Sequence, residues 1–290
     1  MTLTIQNERL YVEAETRGAQ LCRICGSDGT EYLWQGDPAV WEDRAPVLFP
    51  YVGRLTQGRY FYDGKSYPMT IHGFASTSEF QAEQVSSTEM RFHLFSSPET
   101  RQQYPFDFGF TVSFCLEENT LIQTYTVTNT GMHTQYFGLG SHPGFNVPLT
   151  PGLSFEDYSL IFDRDAQPVR LAFSPDCFLA DGDVPFCIEN NTIPLHHALF
   201  DQDAIVLRQP GSSIRLCSPL DHHSVTVDYQ GTPYLSLWHM PFTQAGYVCI
   251  EPWFSLPSRK SIVEDLTTQP SLLSLQPGST HVSTLRYTLT

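Results

Sequence analysis

The sequence is poor in charge, and above all in positive charge. Only 16% of its 290 residues are Asp, Glu, Lys or Arg, and 31 acidic residues against 16 Lys and Arg give a formal net charge of −15. Binding to a nucleic-acid backbone requires clustered Lys and Arg, so we expect no nucleic-acid partner. The negative net charge favours a neutral or cationic ligand, although a local basic pocket is still compatible with it.

Long apolar runs are also missing. No stretch approaches the roughly 20 apolar residues that a helix needs to span a bilayer, so we expect no membrane partner. The N-terminus lacks the basic segment and apolar block of a signal peptide. The cysteines form an odd, scattered set that is typical of reduced thiols rather than of a disulfide framework: Cys22, Cys25, Cys115, Cys177, Cys187, Cys217 and Cys249. We therefore expect a cytoplasmic location.

Cofactor and nucleophile motifs are absent as well. No glycine-rich loop before a helix indicates a nucleotide, and no serine lies in a nucleophile-elbow sequence. Cys22 and Cys25 form a lone CxxC motif, and in a strand the two thiols face opposite sides. Two pairs of histidines are adjacent rather than spaced for one metal ion, His196-His197 and His222-His223. We therefore expect neither a cofactor nor a metal.

Helical periodicity is scarce, and apolar residues alternate with polar ones instead. The alternation is clearest over residues 110–127, where a turn at 117–119 predicts an antiparallel hairpin with one buried face. Similar short runs, separated by Gly, Pro, Asn and Ser, predict strands at 3–14, 90–95, 214–217, 224–228, 234–239, 247–250 and 282–289. A brief helical turn is predicted at 98–103. Such regular short strands indicate a sandwich or barrel, and without repeats or linkers we expect one domain, 1–290.

One stretch, residues 46–74, groups a cation, a hairpin signal and an imidazole. Arg54 lies near its start and His72 near its end. Between them Asp63-Gly64 separates two aromatic-rich runs, which predicts a hairpin with a tight turn because these residues accept positive φ at low cost. Such a hairpin brings Arg54 and His72 together at one end of a sheet. A cation beside a proton-transfer group, without a nucleophile, indicates chemistry on a polar ligand rather than covalent catalysis.

Two further residues are candidates for acid–base chemistry. His142 lies in GLGSHPGF, where the glycines allow the backbone to approach a ligand and the following proline stiffens the chain. Glu251 closes the apolar run of VCIEPW, and its pKa is tunable because burial raises it while hydrogen bonds or a cation lower it. The alternatives are a turn histidine with local hydrogen bonds and a strand-end glutamate that points to water. For His72 the alternative is a buried, structurally bonded histidine.

Four segments together resemble one known family: FPYVGRLTQGRYFYDGKSYPMTIHGF, LFDQDAIVL, GLGSHPGFNVP and YVCIEPWF. In their order of arginine, glycine-rich strand pair and histidine, they are similar to the aldose 1-epimerase (galactose mutarotase-like) family. The resemblance implies an all-β fold, the large antiparallel two-sheet β-supersandwich of that family, with few short helices. It also implies a cofactor-free isomerase that interconverts the α and β anomers of an aldose through the open-chain aldehyde.

The resemblance also assigns roles to single residues. Glu251 is expected to be the base at the C1 hydroxyl and His142 the acid at the ring oxygen, with His72 hydrogen-bonded nearby. Arg54 and Asp203 are expected to hold the sugar hydroxyls, for which the fork of a guanidinium is well suited. The alternative for Arg54 is an ion pair with an acidic residue at the surface, and in an extended segment Asp201 faces the same side as Asp203. Activity should then fall on both sides of neutrality, as Glu251 gains a proton and as His142 loses one.

Tryptophans are a further group of candidates for sugar binding. Trp238, in SLWHMP, can offer a flat face to the C–H groups of a sugar, and the alternative is a place in the core. The same two interpretations hold for Trp253, Trp34 and Trp41.

Three related functions stay open. Some relatives that act on hexose 6-phosphates have an arginine beside the HGFA-like stretch, where this chain has Ser76. That difference weakens a phosphosugar interpretation without removing it, because other cations can contribute, namely Arg54, Arg59 or Lys65. A non-catalytic sugar-binding protein needs no acid–base pair, so the presence of both candidates argues against it. A glycosidase needs two carboxylates at a set distance, and only Glu251 stands out. The particular sugar and the oligomeric state are not indicated.

Overall fold

The computed structural model describes residues 1–186 and 188–290, so Cys187 lies outside the described residues. Within them the helical elements are short: α1 at Pro98–Arg101, and 3-10 turns at Thr56–Gly58, Ala75–Thr77, Phe155–Asp157 and His197–Phe200. The strands are β1 Thr2–Gln6, β2 Leu10–Glu15, β3 Gln20–Gly26, β4 Val47–Leu48, β5 Arg59–Tyr62, β6 Lys65–Pro68, β7 Gln81–Gln84, β8 Glu89–Phe95, β9 Phe108–Glu117, β10 Thr120–Asn129, β11 Gln135–Phe137, β12 Gly140–Ser141, β13 Gly144–Asn146, β14 Ser159–Phe162, β15 Val169–Arg170, β16 Val184–Pro185, β17 Thr192–Pro194, β18 Ile205–Arg208, β19 Ser213–Cys217, β20 Ser224–Asp228, β21 Tyr234–Trp238, β22 Tyr247–Trp253, β23 Leu273–Leu275 and β24 Thr280–Leu289.

Two large sheets dominate the part of the chain that the structure describes. One has nine strands in the order β17-β14-β19-β20-β24-β10-β9-β8-β7. The other has eight, in the order β16-β15-β18-β21-β22-β12-β4, with β13 also paired to β22. Pairing within both sheets is antiparallel. The strands β1–β3 form a smaller sheet, and β5-β6 and β11-β23 form two-stranded ribbons. The expected all-β architecture with two large antiparallel sheets is therefore confirmed.

The alternating segment at 110–127 forms the predicted hairpin. Its strands are β9 and β10, and Phe110, Val112 and Phe114 are fully buried. Because successive side chains of a strand point to opposite faces, these three lie together on the core side. The turn residue Glu118 has a φ of 50°. The hairpin with one buried face is confirmed.

The segment at 3–14 was expected as one run and is instead two strands, β1 and β2. The side-chain oxygen of Asn7 accepts hydrogen bonds from the backbone N–H groups of Arg9 and Leu10, at 2.9 Å each. This short-range bonding offers the backbone a turn in place of a ladder. The prediction of a single strand here was wrong because it overlooked that turn.

The Asp63-Gly64 signal produces the predicted tight turn. Both residues have positive φ, 49° and 70°, and Tyr62 pairs with Lys65 across the turn between β5 and β6. The helical turn predicted at 98–103 is also present as α1, and Ser97 caps it by accepting a hydrogen bond from the backbone N–H of Thr100. Among the described residues, no helix is long and apolar enough to cross a membrane.

The strand β22 separates the main core from the site described below. Its Val248 and Ile250 belong to the large apolar core between the two sheets. Alternation places Cys249, Glu251 and Trp253 on the opposite face of the same strand, and all three are buried there as well. A carboxylate therefore lies on a face of the eight-stranded sheet that smaller clusters of aromatic and aliphatic side chains cover.

Candidate active site

Glu251 lies within β22, so its predicted place at a strand end was wrong. The strand is paired with β21 on one side and with β12 and β13 on the other, and only 1% of Glu251 is exposed. Its Oε2 accepts a hydrogen bond from the indole N–H of Trp253 at 3.1 Å, while Oε1 has no partner among the described residues. A buried oxygen without a partner is costly, which makes this carboxyl group a candidate for contact with a ligand.

His142 faces Glu251 from the connection between β12 and β13. Both of these strands pair with β22, so the connection is fixed at two points beside the carboxyl group. The backbone N–H of His142 donates to the carbonyl of Pro46 at 3.1 Å. Its Nε2 lies 3.3 Å from Oε2 of Glu251, and within the described chain Nδ1 has no hydrogen-bond partner. The two candidate acid–base groups are therefore in direct contact.

The environment drives both members of this pair toward their uncharged forms. Burial raises the pKa of Glu251 well above its usual range, the hydrogen bond from the indole N–H of Trp253 opposes that rise, and the negative charge of Asp203 adds to it. Burial also lowers the pKa of His142 to about 4. These opposite shifts favour the state of the free protein in which the carboxyl group, rather than the imidazole, carries the proton that the pair shares.

His72 is held beside His142 by two hydrogen bonds to Gly53. The N–H of His72 donates to the Gly53 carbonyl at 3.0 Å, and the N–H of Gly53 donates to the ring Nδ1 of His72 at 3.2 Å. The proton of the neutral ring must therefore lie on Nε2, where it is free to be donated. The rings of His72 and His142 are 5.6 Å apart at 84°. Burial, together with the nearby His142 and Arg54, lowers the pKa of His72 to about 3.

Arg54 and Asp203 are two charged residues near this group, since the charge of Arg54 acts on His72 and that of Asp203 on Glu251. Arg54 follows Gly53 directly and is exposed, while Asp203 is half-buried two residues before β18 and has a φ of 69°. Asp203 accepts a hydrogen bond from the Cys177 thiol at 3.0 Å and from the Ala204 N–H at 2.8 Å. Burial and the bond to Asp203 raise the pKa of Cys177 to about 11, and the charge of Arg54 opposes this rise. The opposite charges of Arg54 and Asp203 thus act on one thiol.

Trp238 and Trp41 form an aromatic wall next to the pair. Trp238 lies on β21 in register with Cys249, and its ring is 5.7 Å from that of His142 in an edge-to-face arrangement. The Trp41 ring lies 5.2 Å from His142 at 32° and 5.5 Å from Trp238. Gly144 is required at this point, since a Cβ there would lie 2.8 Å from the Trp41 ring. Flat apolar faces therefore border the polar pair.

The fold brings six predicted residues into one neighbourhood, and it adds others that the sequence did not single out for the site. Contacts join Glu251, His142, His72 and Trp238, and the charges of Arg54 and Asp203 act on His72 and Glu251. Cys249 could have been found from the two-residue period, because it shares a face with Glu251. No local signal marks Cys177, which lies in an irregular segment and meets Asp203 across 26 residues of sequence.

Fold and site together define a class of protein. It is an antiparallel β-sandwich with a buried carboxyl–imidazole pair on one sheet face, bordered by a second histidine and by tryptophans. The family model for aldose 1-epimerase matches residues 1–288. The chain therefore belongs to the aldose 1-epimerase family, and the resemblance inferred from its four segments is confirmed.

Similar proteins cover nearly the whole chain. The plasmid-encoded protein LacX of Lactococcus lactis subsp. lactis is 32% identical over 291 residues, which is 97% of this chain and 96% of that protein. The crystal structure of a galactose mutarotase related enzyme from Lactobacillus acidophilus is 31% identical, with a TM-score of 0.95 over 100% of this chain and 97% of that one. The crystal structure of a galactose mutarotase-like protein from Lactobacillus casei ATCC 334 is 31% identical in sequence, with a TM-score of 0.94 over 100% of both chains. The galactose mutarotase-like fold is confirmed.

Proposed function

We propose that this protein is an aldose 1-epimerase that interconverts the α and β anomers of an aldohexose. The observation that carries the proposal is the contact between Nε2 of His142 and Oε2 of Glu251, at 3.3 Å, in a buried position bordered by His72. Ring opening requires one proton to leave the C1 hydroxyl and one to reach the ring oxygen. A base and an acid that share one proton meet this requirement without a cofactor.

The proton balance of the proposed reaction closes over one cycle. Glu251, as the carboxylate, takes the proton of the C1 hydroxyl, and His142, as the imidazolium, gives its proton to the ring oxygen. The C1–O5 bond breaks, the aldehyde rotates about C1–C2, and ring closure on the other face reverses both transfers. The free protein favours the uncharged tautomer of the same pair, so sugar binding has to move one proton from Glu251 to His142. Sugar hydroxyls that donate to the carboxylate favour this movement.

The neighbouring residues have positions suited to holding the sugar. We assign to His72 a hydrogen bond from Nε2 to the ring oxygen or an adjacent hydroxyl, because Nδ1 is already bonded to Gly53. The exposed guanidinium of Arg54 can donate to two vicinal hydroxyls. Asp203 can accept from another, and Trp238 can pack against C–H groups. Each of these contacts fixes the orientation of C1 relative to the pair.

Phosphorylated sugars are the second candidate substrate. Arg59 is committed elsewhere, since its guanidinium donates to Gln57 at 2.7 and 3.1 Å and lies over the Phe61 ring. Lys65 lies in the exposed β5-β6 hairpin. Of the three cations named above, Arg54 is the one whose charge acts on the candidate site, since it helps to lower the pKa of His72, and we propose that it serves hydroxyls. We accordingly expect free aldoses to be preferred over their 6-phosphates.

Polarimetry of freshly dissolved α-glucose, α-galactose and their 6-phosphates tests the proposal. We expect the protein to accelerate the optical change of at least one free aldose. Faster reaction of the 6-phosphates would instead support a hexose-6-phosphate mutarotase. Sugar binding in a calorimeter without acceleration would identify a carbohydrate-binding protein, and release of nitrophenol from aryl glycosides would identify a glycosidase. A cytoplasmic location stays a prediction that cell fractionation can check.

A further inference from the structure

Three side chains of the kinds that bind transition metals meet at the centre of the candidate site. His142, Cys249 and Glu251 each offer one ligand atom, and these atoms all lie within 4.8 Å of one another. Cys249 is placed there because it precedes Glu251 by two residues on β22 and so shares its face. Cys249 has no part in the proposed proton transfers, so its position next to them is unexplained by that reaction.

Two polar atoms of this cluster lack partners among the described residues. Oε1 of Glu251 and Nδ1 of His142 are buried and make no hydrogen bond. Glu251 is 1% exposed and Cys249 is fully buried. Buried groups in this condition gain a partner when they bind a ligand. Of these two atoms, Oε1 gives the carboxyl group of Glu251 spare coordinating capacity beside Cys249. Nδ1 lies on the other edge of the His142 ring from Nε2 and is not offered to the same ion.

The ligand set favours a thiophilic divalent cation. Thiolate, imidazole and carboxylate are the ligands of Zn²⁺, with bonds of about 2.3, 2.0 and 2.1 Å, so ligand atoms on a tetrahedron lie roughly 3.5 Å apart. The 3.3 Å between Nε2 of His142 and Oε2 of Glu251 is close to that spacing. Mg²⁺ and Ca²⁺ prefer oxygen ligands throughout, so a sulfur ligand selects against them.

A second group of metal-binding residues provides a contrast. Asp28, His222 and His223 also lie within reach of one ion. There, however, both ring nitrogens of His223 are already engaged, Nε2 with Asp28 at 2.8 Å and Nδ1 with Asp221 at 3.0 Å. That group is a satisfied hydrogen-bond network, whereas the cluster around Cys249 has unpartnered atoms.

We propose that His142, Cys249 and Glu251 form a binding site for Zn²⁺ or a similar thiophilic cation, with water as the fourth ligand. Binding releases the Cys249 thiol proton and the Glu251 carboxyl proton to solvent, and the metal then occupies both members of the acid–base pair. The consequence for activity rests on the proposed function: a bound cation should inhibit anomerisation and compete with sugar. The binding itself does not depend on that function.

Cobalt spectroscopy tests the binding directly. Co²⁺ added to the metal-free protein should give one equivalent of thiolate-to-cobalt charge transfer and the visible bands of a tetrahedral ion, and Zn²⁺ should displace it. Cys249→Ser should abolish the charge transfer and weaken Zn²⁺ binding at least about 100-fold, beyond the effect of a merely supporting residue. The matched control is Cys217→Ser, a half-buried thiol of β19 in the other large sheet, which should bind as the wild type does.

Glu251→Gln gives a second test that keeps the thiol. It should retain a charge-transfer band but lose metal affinity, since a ligand oxygen has been replaced by an amide. The proposal is overturned if wild type shows no thiolate band, or if Cys249→Ser, folded by circular dichroism, keeps it.

Rates separate this proposal from the proposed function. Zn²⁺ should inhibit anomerisation by wild type and Cys217→Ser, and Cys249→Ser should resist it, each relative to its own uninhibited rate. Cobalt binding in a protein without anomerase activity would leave the metal site standing and remove the proposed function. Anomerase activity without a thiolate band would support the proposed function and overturn the metal site.

Discussion

Glu251 and His142 are close enough to titrate as a unit. Their contact is 3.3 Å, and Glu251 has 1% of its surface exposed. Coupled groups of this kind have apparent pKa values that belong to the pair. Burial raises the pKa of Glu251 and lowers that of His142 to about 4, so the two groups share one proton between the pH at which the pair gains a second proton and the pH at which it loses its only one. The pH dependence expected from the sequence therefore changes: the fall in activity toward acid reports the gain of a second proton by the pair, and the fall toward alkali reports the loss of its only proton.

The first prediction is therefore a bell-shaped dependence of kcat/KM on pH. Activity should fall toward acid as the pair gains a second proton near the His142 pKa of about 4. It should fall toward alkali as the pair loses its only proton. Polarimetric rates over a series of buffers measure both limbs. A rate that stays level from well below to well above neutrality would argue against a shared proton.

At the scale of elements, the turn that carries His72 depends on a glycine. Gly73 has a φ of 78°, and a Cβ there would lie 2.3 Å from the carbonyl oxygen of Phe49. That oxygen already accepts the N–H groups of Phe74 and Ala75, at 3.0 Å each. The close approach of two backbone segments thus positions the imidazole, and a side chain at Gly73 cannot be accommodated without moving one of them.

We predict that Gly73→Ala is more damaging than Gly64→Ala. Gly64 has a similar φ of 70° but no atom within 4 Å of a Cβ, so its substitution costs only the backbone term of about 1 kcal/mol. Gly73→Ala should lose at least about 2 kcal/mol, because the collision with backbone is added. Urea unfolding measures the difference. Equal losses of unfolding free energy in the two variants would show that the short distance between Gly73 and the Phe49 carbonyl leaves room for a side chain.

A network of hydrogen bonds around His223 joins the loop after β3 to the loop after β19. His223 is buried between Asp28 and Asp221, and Tyr158 donates to Asp221. Burial alone lowers the pKa of His223, but the bonds to Asp28 and Asp221 outweigh it, and the net shift is upward. The bond to His223 helps to lower the pKa of Asp28 to about 2. An imidazolium between carboxylates thus links the loops after β3 and β19.

This network predicts a pH-dependent stability that His223 controls. A raised histidine pKa stabilises the fold below the unfolded value of about 6.5, and the contribution is lost as pH rises through the folded value. The lowered pKa of Asp28 contributes stability above the unfolded value of the carboxyl group, and that contribution is lost as the pH falls through the folded value of about 2. His223→Asn should therefore cost most stability between about pH 4 and 6.5, and less at higher pH.

The adjacent His222 provides the matched control, because its side chain is 81% exposed. Denaturant unfolding of His222→Asn should follow wild type across the same pH range. The account of the network fails if His223→Asn and His222→Asn give the same pH dependence.

Short-range patterns in the sequence predict the strands but not the assembly of the site. Alternation located β9 and β10, and the Asp63-Gly64 pair located the β5-β6 turn, because both depend on neighbours in the chain. The 3.3 Å contact between His142 and Glu251 joins residues more than a hundred positions apart, and the resemblance alone suggested it. The contacts of Trp41 with His142 and of Cys177 with Asp203 depend on irregular loops, which carry no periodic signal.

For the whole molecule, one continuous apolar core suggests one cooperative unit. The core cluster includes residues from the N-terminal sheet, such as Ile5, from both large sheets, such as Phe110 and Ile205, and from the final strand, such as Leu285. We predict that the chain unfolds in urea as the single domain expected from its sequence. Tryptophan fluorescence reports mainly on the site face, where all four tryptophans lie, and far-ultraviolet circular dichroism reports on the sheets. The two unfolding curves should coincide. Different midpoints would show that the chain contains more than one cooperative unit.

Exchange NMR of an aldose at anomeric equilibrium, with wild type and Glu251→Gln, tests the central claim most directly. The experiment reads the rate of α–β interconversion while the same spectra report sugar binding. Wild type should accelerate exchange. Glu251→Gln should lose about 10²–10⁴-fold in rate with sugar affinity kept within a few-fold, and the exposed control Glu117→Gln should match wild type. A Glu251→Gln protein that binds sugar and exchanges its anomers at the wild-type rate would contradict the account.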